Sequence, residues 1–330
     1  MAKIDIAVIG LGVMGSQHLR ILRELDDFNI VGAYDPDTSV AERARRGHPG
    51  LTMASHVKEL LEAGIGAAII ASPSTAHADL AASLVEQGIN VLVEKPVAAD
   101  VEQAMLLSTV AGTTASRILV GHIERFNPAV RGLKDFVRRG SLGQVVSISA
   151  SRVGVARPAV PSTDVVLDLA IHDIDVIRFL LEQPVRVLGA SGGSLPGNAQ
   201  LDYSHVLLAC GSATGAVEAN WITPRKRRAL FVTGTEGFAE LDYIHQAVRT
   251  YRGKSELIGD GADLYHCMSQ TSEAEVLPVA RREPLRAELE HFAAYIRGEE
   301  GPVITLDEAI DALVCCVEAS RLIRDSGHDR

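Results

Sequence analysis

Ile4-Asp5-Ile6-Ala7-Val8-Ile9-Gly10-Leu11-Gly12-Val13-Met14-Gly15 is the stretch on which the fold of this chain turns. Ile4 to Ile9 is rich in Ile and Val, a strand signature. The run that follows places Val13, Met14, Leu19, Ile21, Leu22 and Leu25 at helical spacing. Between them stands G-x-G-x-x-G. Glycine is frequent here, 29 residues in 330, so the string acquires meaning only from the strand before it and the helix after it. In that setting Gly10 permits a tight turn, Gly12 lets the backbone approach a pyrophosphate, and Gly15 lets helix and strand pack closely. Val13 and Met14 open the helix, whose first N–H groups and partial positive charge face the phosphates. An acidic residue is due about 20 positions on, at the end of the second strand. Asp35 stands there, after Ile30-Val31-Gly32-Ala33-Tyr34. Its carboxylate can accept both ribose hydroxyls and would repel a 2′-phosphate. Pro36 and Asp37 follow rather than an Arg. The expected cofactor is therefore NAD, not NADP.

Outward from this turn, strand-like runs recur at 29–34, 67–71, 90–93 and 118–121, with helical patterns at 76–87 and 101–111. That alternation predicts a doubly wound α/β Rossmann domain with a parallel sheet. Its crossovers should be right-handed. Past residue 122 the rhythm changes. Helices are expected at 126–139 and 165–181, a strand at 144–153, and further strands at 185–190, 203–209, 216–222, 229–233 and 239–244. Consecutive strands with short turns imply a large, mostly antiparallel sheet. Helices at 283–297 and 306–323 close the chain, and 253–275 reads as a polar surface loop. The predicted division is 1–122, binding NAD, and 123–330, an α+β domain for substrate binding and oligomerisation. The C-terminal helix is free to pack back on the first domain.

Composition removes other classes. The length of 330 residues suggests about two domains. Lys and Arg number 32 against 42 Asp and Glu, a net charge of −10, and there are only 14 Trp, Tyr and Phe residues. A nucleic-acid binder would show basic excess and stacking rings. The apolar and Gly run 64–71 is far short of the ~20 residues of a membrane span. The first residues lead straight into a strand, so no signal peptide is expected and the chain reads as cytoplasmic. Cys210, Cys267, Cys315 and Cys316 include no Cys-x-x-Cys pair. They read as small buried hydrophobes in a reducing compartment, and no metal site is expected.

The chemistry-bearing residues lie at the ends of strands and near the change of rhythm. The loop Ser72-Pro73-Ser74-Thr75-Ala76-His77 follows a strand's carboxyl end, where ligands bind in open α/β sheets. Ser72, Pro73, Ser74 and His77 are cofactor candidates; helix capping is the plainer alternative for the hydroxyls. Glu94-Lys95-Pro96 closes another strand. A Lys in that place, beside a carboxylate and before a Pro, is unusual on structural grounds. Asp168 and His172 stand four apart on an expected helix and share a face. A carboxylate beside an imidazole orients the ring and stabilises its protonated form. Such a pair can accept the proton of a hydroxyl undergoing oxidation, with capping or a salt bridge as the alternative role. His122, Arg125 and Asn127 lie where the rhythm changes, and domain junctions commonly line a cleft.

The G-x-G-x-x-G turn together with Glu94-Lys95-Pro96 resembles the Gfo/Idh/MocA family of sugar-type oxidoreductases, over essentially the whole chain. The resemblance implies that Lys95 is catalytic and touches the nicotinamide ribose beside Glu94. It also implies that His172 transfers a proton and that Asp168 orients it or binds a substrate hydroxyl. The strings 121–129, 168–175, Asn220-Trp221-Ile222-Thr223-Pro224 and 232–237 resemble one branch, the UDP-N-acetylglucosamine 3-dehydrogenases. These oxidise carbon 3 of the sugar with NAD for a later aminotransferase. A diphosphate would call for Arg forks. Arg152, Arg157, Arg225, Lys226, Arg227 and Arg228 are the candidates, with a solvated turn or intersubunit patch the alternative for 225–228. The segment 152–161 resembles the branch only at its start. Family members often form homodimers or homotetramers, which is the expected assembly. The remaining alternatives are a dehydrogenase or ketoreductase for another sugar, cyclitol or aminoglycoside, and a non-catalytic dinucleotide sensor on the same fold.

Overall fold

In the computed structural model, residues 2–155, 163–252 and 274–326 are described. Two compact units form. One comprises Met1–Phe126 with Arg282–Val317, the other Asn127–Arg281 with Glu318–Arg330.

In chain order the first unit begins β1 (Ile4–Ile9), α1 (Val13–Leu22), β2 (Phe28–Tyr34), α2 (Thr38–Gly47), α3 (Val57–Glu62) and β3 (Ala67–Ile70). It continues with α4 (His77–Glu86), β4 (Asn90–Glu94), α5 (Val101–Ala111) and β5 (Ile118–Gly121). The strands form a five-stranded sheet in the order β2-β1-β3-β4-β5, and every neighbouring pair is parallel. The Rossmann expectation holds. Strands buried on both faces read as unbroken apolar runs, and Ala67–Ile70 is buried throughout. Because the strands run the same way, Gly10, Asp35, Ser72, Lys95 and His122 all follow carboxyl ends at one sheet edge. Helix α2 went unread because its sequence is mostly polar or charged with few apolar positions, and Ala44 is its buried residue. Asp37 starts it by accepting from the Ser39 and Val40 N–H groups at 2.8 and 3.3 Å.

The second unit carries α6 (Pro128–Arg138), β6 (Val145–Val153), α7 (Ile171–Leu181), β7 (Val185–Gly193), β8 (Tyr203–Cys210) and β9 (Ala213–Asn220). Strands β10 (Arg227–Gly234), β11 (Gly237–Asp242), β12 (Ala247–Arg252) and β13 (Glu275–Val276) follow. The order is β13-β12-β11-β10-β6-β9-β8-β7, antiparallel except for the parallel pair β6 and β9. Helices α6 and α7 pack on each other and on one sheet face. The helix expected over 165–181 is not uniform. Val166–Ala170 is a π-helical turn, and the regular helix begins at Ile171. Asp164 supports the turn by accepting from the Val166 and Leu167 N–H groups, both at 3.1 Å.

Two last helices, α8 (Pro284–Arg297) and α9 (Leu306–Asp325), end the chain. Helix α8 packs on α1 and buries Leu285, Leu289 and Phe292. Ion pairs Arg20–Glu283 and Arg286–Glu24 flank that contact, and Arg297 reaches Asp27 at 2.6 Å. Cys210, Cys315 and Cys316 are buried, and burial pushes the Cys210 thiol up to about 11. Cys267 and most of the expected 253–275 loop lie outside the described residues. No described helix is long and apolar enough to cross a membrane.

Candidate active site

The nucleotide end is built from backbone. Gly10 has φ +89°, and a Cβ there would meet the Ala71 carbonyl carbon at 2.5 Å. A Cβ on Gly15 would run into the Gly10 carbonyl oxygen. Both positions therefore require glycine, and strand, turn and helix close on one another as the motif predicts. Gly12 differs, since a Cβ there would meet nothing within 4 Å. It is the N-cap of α1, and no side chain caps that end. By contrast Asp37, Asp100 and Asn127 cap α2, α5 and α6. The first turn of α1 thus leaves its N–H groups to an anion. Val13 beside it is 83 % exposed and Met14 half-buried. Asp35 Oδ2 accepts from Leu11 N–H at 2.7 Å and Oδ1 from Asp37 N–H at 2.9 Å. These bonds fix the carboxylate beside the glycine turn. The cradle fits a dinucleotide, with Gly10–Gly15 for the pyrophosphate and Asp35 for a ribose.

The loop after β3 holds Ser72, whose hydroxyl oxygen is buried without a protein partner, the exposed Pro73, and Ser74, which starts a short 3-10 turn. His77 is buried. Its Nδ1 lies 2.8 Å from the Pro96 carbonyl oxygen and its Nε2 2.8 Å from that of Ser72. Both ring nitrogens are engaged by backbone carbonyls. His77 ties the loop after β3 to the segment after β4. Lys95 is half-buried at that second loop, and the Lys95–Pro96 bond is cis. Glu94 also departs from expectation. Its carboxylate turns into the unit, with Oε1 2.8 Å from His18 Nε2, and lies against Gly121. Burial acts to raise the Glu94 carboxyl, but the hydrogen bond and charge of His18, with Lys95 and His77 beyond, bring it below the usual carboxylate value. His18 carries no motif and was missed. Its signal was a polar residue on the inward side of an apolar helix.

His122 is buried directly after β5. Arg125, expected to meet substrate, is 1 % exposed and donates to the Val303 carbonyl at 2.9 Å and to Glu308 at 3.0 Å. In the second unit Asn127 donates to the Tyr243 carbonyl at 3.1 Å and accepts from Ala129 N–H at 3.1 Å. Arg152 is paired twice with Asp173, at 2.6 and 3.1 Å, and stacks 4.8 Å over the Tyr243 ring. Each of these three polar groups is tied to its own unit. Asp168 lies in the π-helical turn and His172 in the first turn of α7, both half-buried. A wider turn still leaves residues four apart near one face, and π turns occur frequently at functional sites.

The basic run is divided in register yet borders one groove. The ladder sets Arg228 opposite Arg152 and Arg227 opposite Val153, and alternation sends successive residues to opposite faces. Arg227 bonds Ser151 Oγ at 2.8 Å and Glu218 at 2.9 Å. With Arg225, Lys226 and Arg228 it lines a groove of about 820 Å³ that also holds Glu218, Glu240 and Asp242. Arg157 lies outside the described residues.

Residues 4–122 match the model of the Gfo/Idh/MocA oxidoreductase family, NAD-binding Rossmann fold, and residues 130–240 match that family's C-terminal domain. The chain belongs to the Gfo/Idh/MocA oxidoreductases. Residues 4–122 are the family's NAD-binding Rossmann domain. Among relatives, inositol 2-dehydrogenase 4 of Saccharopolyspora erythraea is 30% identical over 56% of this chain and 55% of its own length. The chain thus spans about half the length of that relative. The scyllo-inositol 2-dehydrogenase (NAD(+)) of Bacillus subtilis is 28% identical over 98% of this chain and 95% of the relative. UDP-N-acetylglucosamine 3-dehydrogenase of Acidithiobacillus ferrooxidans is 25% identical over 88% of each chain. Its solved structure superposes with a TM-score of 0.83 over 98% of this chain and 99% of the other, at 21% identity. That likeness is one of fold.

Proposed function

We propose that this Gfo/Idh/MocA oxidoreductase oxidises a secondary hydroxyl of a sugar or cyclitol to the ketone with NAD. The observation that carries the reading is the single sheet edge that bears the uncapped Gly10–Gly15 turn, Asp35 and Lys95. NAD supplies the hydride acceptor. The chain's own residues handle the proton that must leave as the C–O bond becomes a carbonyl. His172 accepts it, oriented by Asp168, and Lys95 assists and stabilises the developing alkoxide charge. Lys95 and Ser72–Ser74 also steady the nicotinamide end.

The specific substrate proposed is a UDP-N-acetylhexosamine oxidised at carbon 3, feeding an aminotransferase. It is supported by the branch-like strings and by the similarity to the UDP-N-acetylglucosamine 3-dehydrogenase. A second reading, an uncharged cyclitol, is favoured by the pairing of Arg152 with Asp173 and of Arg227 with Glu218, which occupies forks that a diphosphate would need. We propose a cytoplasmic homo-oligomer, with the open face of the eight-stranded sheet as the contact.

The test is NADH absorbance with UDP-N-acetylglucosamine, UDP-glucose, myo-inositol and an unphosphorylated hexose. Turnover of the UDP-sugar alone supports the specific reading, and turnover of inositol alone the second. Lys95→Ala and His172→Ala should each lower kcat ~10²–10⁴-fold while NAD binding is kept. Tight NAD binding with no reduction by any polyol would turn the assignment toward a dinucleotide sensor.

A further inference from the structure

Three buried groups of the first unit converge beneath the sheet edge. His18 of α1, Glu94 at the end of β4 and Glu288 of α8 each place a ligand-type atom within 4.8 Å of the others. His18 and Glu288 are 0 % exposed. Glu94 is committed to His18 through the 2.8 Å bond. Glu288 is different, because among the described residues neither of its oxygens meets a hydrogen-bond donor, and His18 Nδ1 also lacks a partner there. An ionised Glu288 would put a second negative charge beside Glu94, away from water and without a counter-ion, at severe cost. Something must neutralise it. A cation is the weaker candidate. A four-coordinate zinc on these three side chains would need a water as its fourth ligand where His18 and Glu288 are 0 % exposed, and Ca²⁺ or Mg²⁺ takes six or more oxygens. A proton needs nothing further.

We propose that Glu288 is a positioning residue, kept as a neutral carboxylic acid, that stabilises the buried His18–Glu94 pair and through it the placement of Lys95. As an acid it fills its place beside the His18–Glu94 hydrogen bond without setting a second negative charge next to Glu94. Burial first, and the Glu94 charge second, hold the Glu288 carboxyl well above the usual carboxylate range. The surrounding charges leave this balance alone. On α1, Arg20 and Glu24 pair with Glu283 and Arg286. Arg125, in the turn after β5, is held by Glu308, and His291 of α8 pairs with Glu300. Beside β4, Lys95 and His77 act on Glu94. The effect on Lys95 rests on the proposed catalytic role of that residue; the neutral acid does not.

The test compares full-length wild type with Glu288→Gln, which mimics the neutral acid but cannot ionise, and with Glu288→Ala. A carboxyl raised on folding stabilises below its unfolded value, and that contribution is lost as pH rises toward its folded value. The wild-type thermal midpoint should therefore fall relative to E288Q by about 3 °C or more between roughly pH 5 and pH 9. E288A should lower kcat about tenfold at unchanged KM, and E288Q should restore it. Parallel pH profiles of wild type and E288Q overturn the neutral acid. So does a stoichiometric divalent metal, measured by elemental analysis, that E288Q loses. Loss of kcat in E288Q equal to that in E288A overturns the positioning role. If instead Lys95→Ala keeps full turnover while the pH profiles still diverge, the catalytic reading of Lys95 fails and the neutral Glu288 stands.

Discussion

Asp35 was legible because both its partners are local or motif-bound. It follows a strand that any reader would draw, and the Leu11 and Asp37 N–H groups fix its two oxygens. The protein partners of His77, Glu94 and Arg125 were illegible for the opposite reason. Glu94 meets a histidine 76 positions away and Arg125 a glutamate 183 positions away, and no local pattern announces such partners. The role of Asp35 gives a clean expectation. Asn at this position keeps one acceptor and removes the charge that opposes a 2′-phosphate. Hydrogen bonds to charged groups contribute about 1.5–3 kcal/mol. Asp35→Asn should therefore raise the KM for NAD about 10-fold or more and narrow the preference over NADP by at least as much. Steady-state kinetics with both cofactors measure this, and an unchanged NAD/NADP ratio would refute the assignment.

Among the elements, the strand-like runs that became β6 to β11 and the strand–helix rhythm before residue 122 were readable, since burial imposes them directly, whereas β12 was not expected. The π-helical turn at Val166–Ala170 was not, because no composition separates it from the α-helix it precedes. Nor could four adjacent basic residues be divided before the β10 register was known. That register also defines the sheet face away from α6 and α7. There Phe231 stacks on Phe238 at 6.2 Å, Tyr251 follows at 5.8 Å, and Leu207 is 56 % exposed. This aromatic and aliphatic patch is the contact proposed above for a homo-oligomer. Phe231→Glu places charge within the patch without entering the core. Light scattering should give the native chain a multiple of the monomer mass and F231E a smaller one. A monomeric native protein, or an F231E of unchanged mass, would remove this face from the assembly.

At the scale of the molecule, the net charge of −10 conflicts little with an anionic cofactor, because the pyrophosphate cradle is made of backbone N–H groups. The organisation of the chain matters more. The first compact unit takes in 282–317 as well as 1–126, so the Rossmann motif and the helix that completes its packing are separated by the entire second sheet. Helix α8 buries Leu285, Leu289 and Phe292 in that unit and supplies Glu288 to the buried cluster. Full burial of an aliphatic or aromatic side chain is worth about 1.5–3 kcal/mol, so these three represent roughly 5–9 kcal/mol as an upper bound. A whole domain is stable by about 5–15 kcal/mol, so losing them removes most of the margin. A fragment of residues 1–126, although it holds every nucleotide-binding motif, should therefore unfold without a cooperative transition and bind NAD weakly. Joining 282–317 to it through a flexible Gly/Ser linker of about 20 residues should restore both. Circular dichroism melts and NAD titration by calorimetry read the outcome. A 1–126 fragment that melts cooperatively and binds NAD as the full chain does would show that the C-terminal segment is dispensable to the fold.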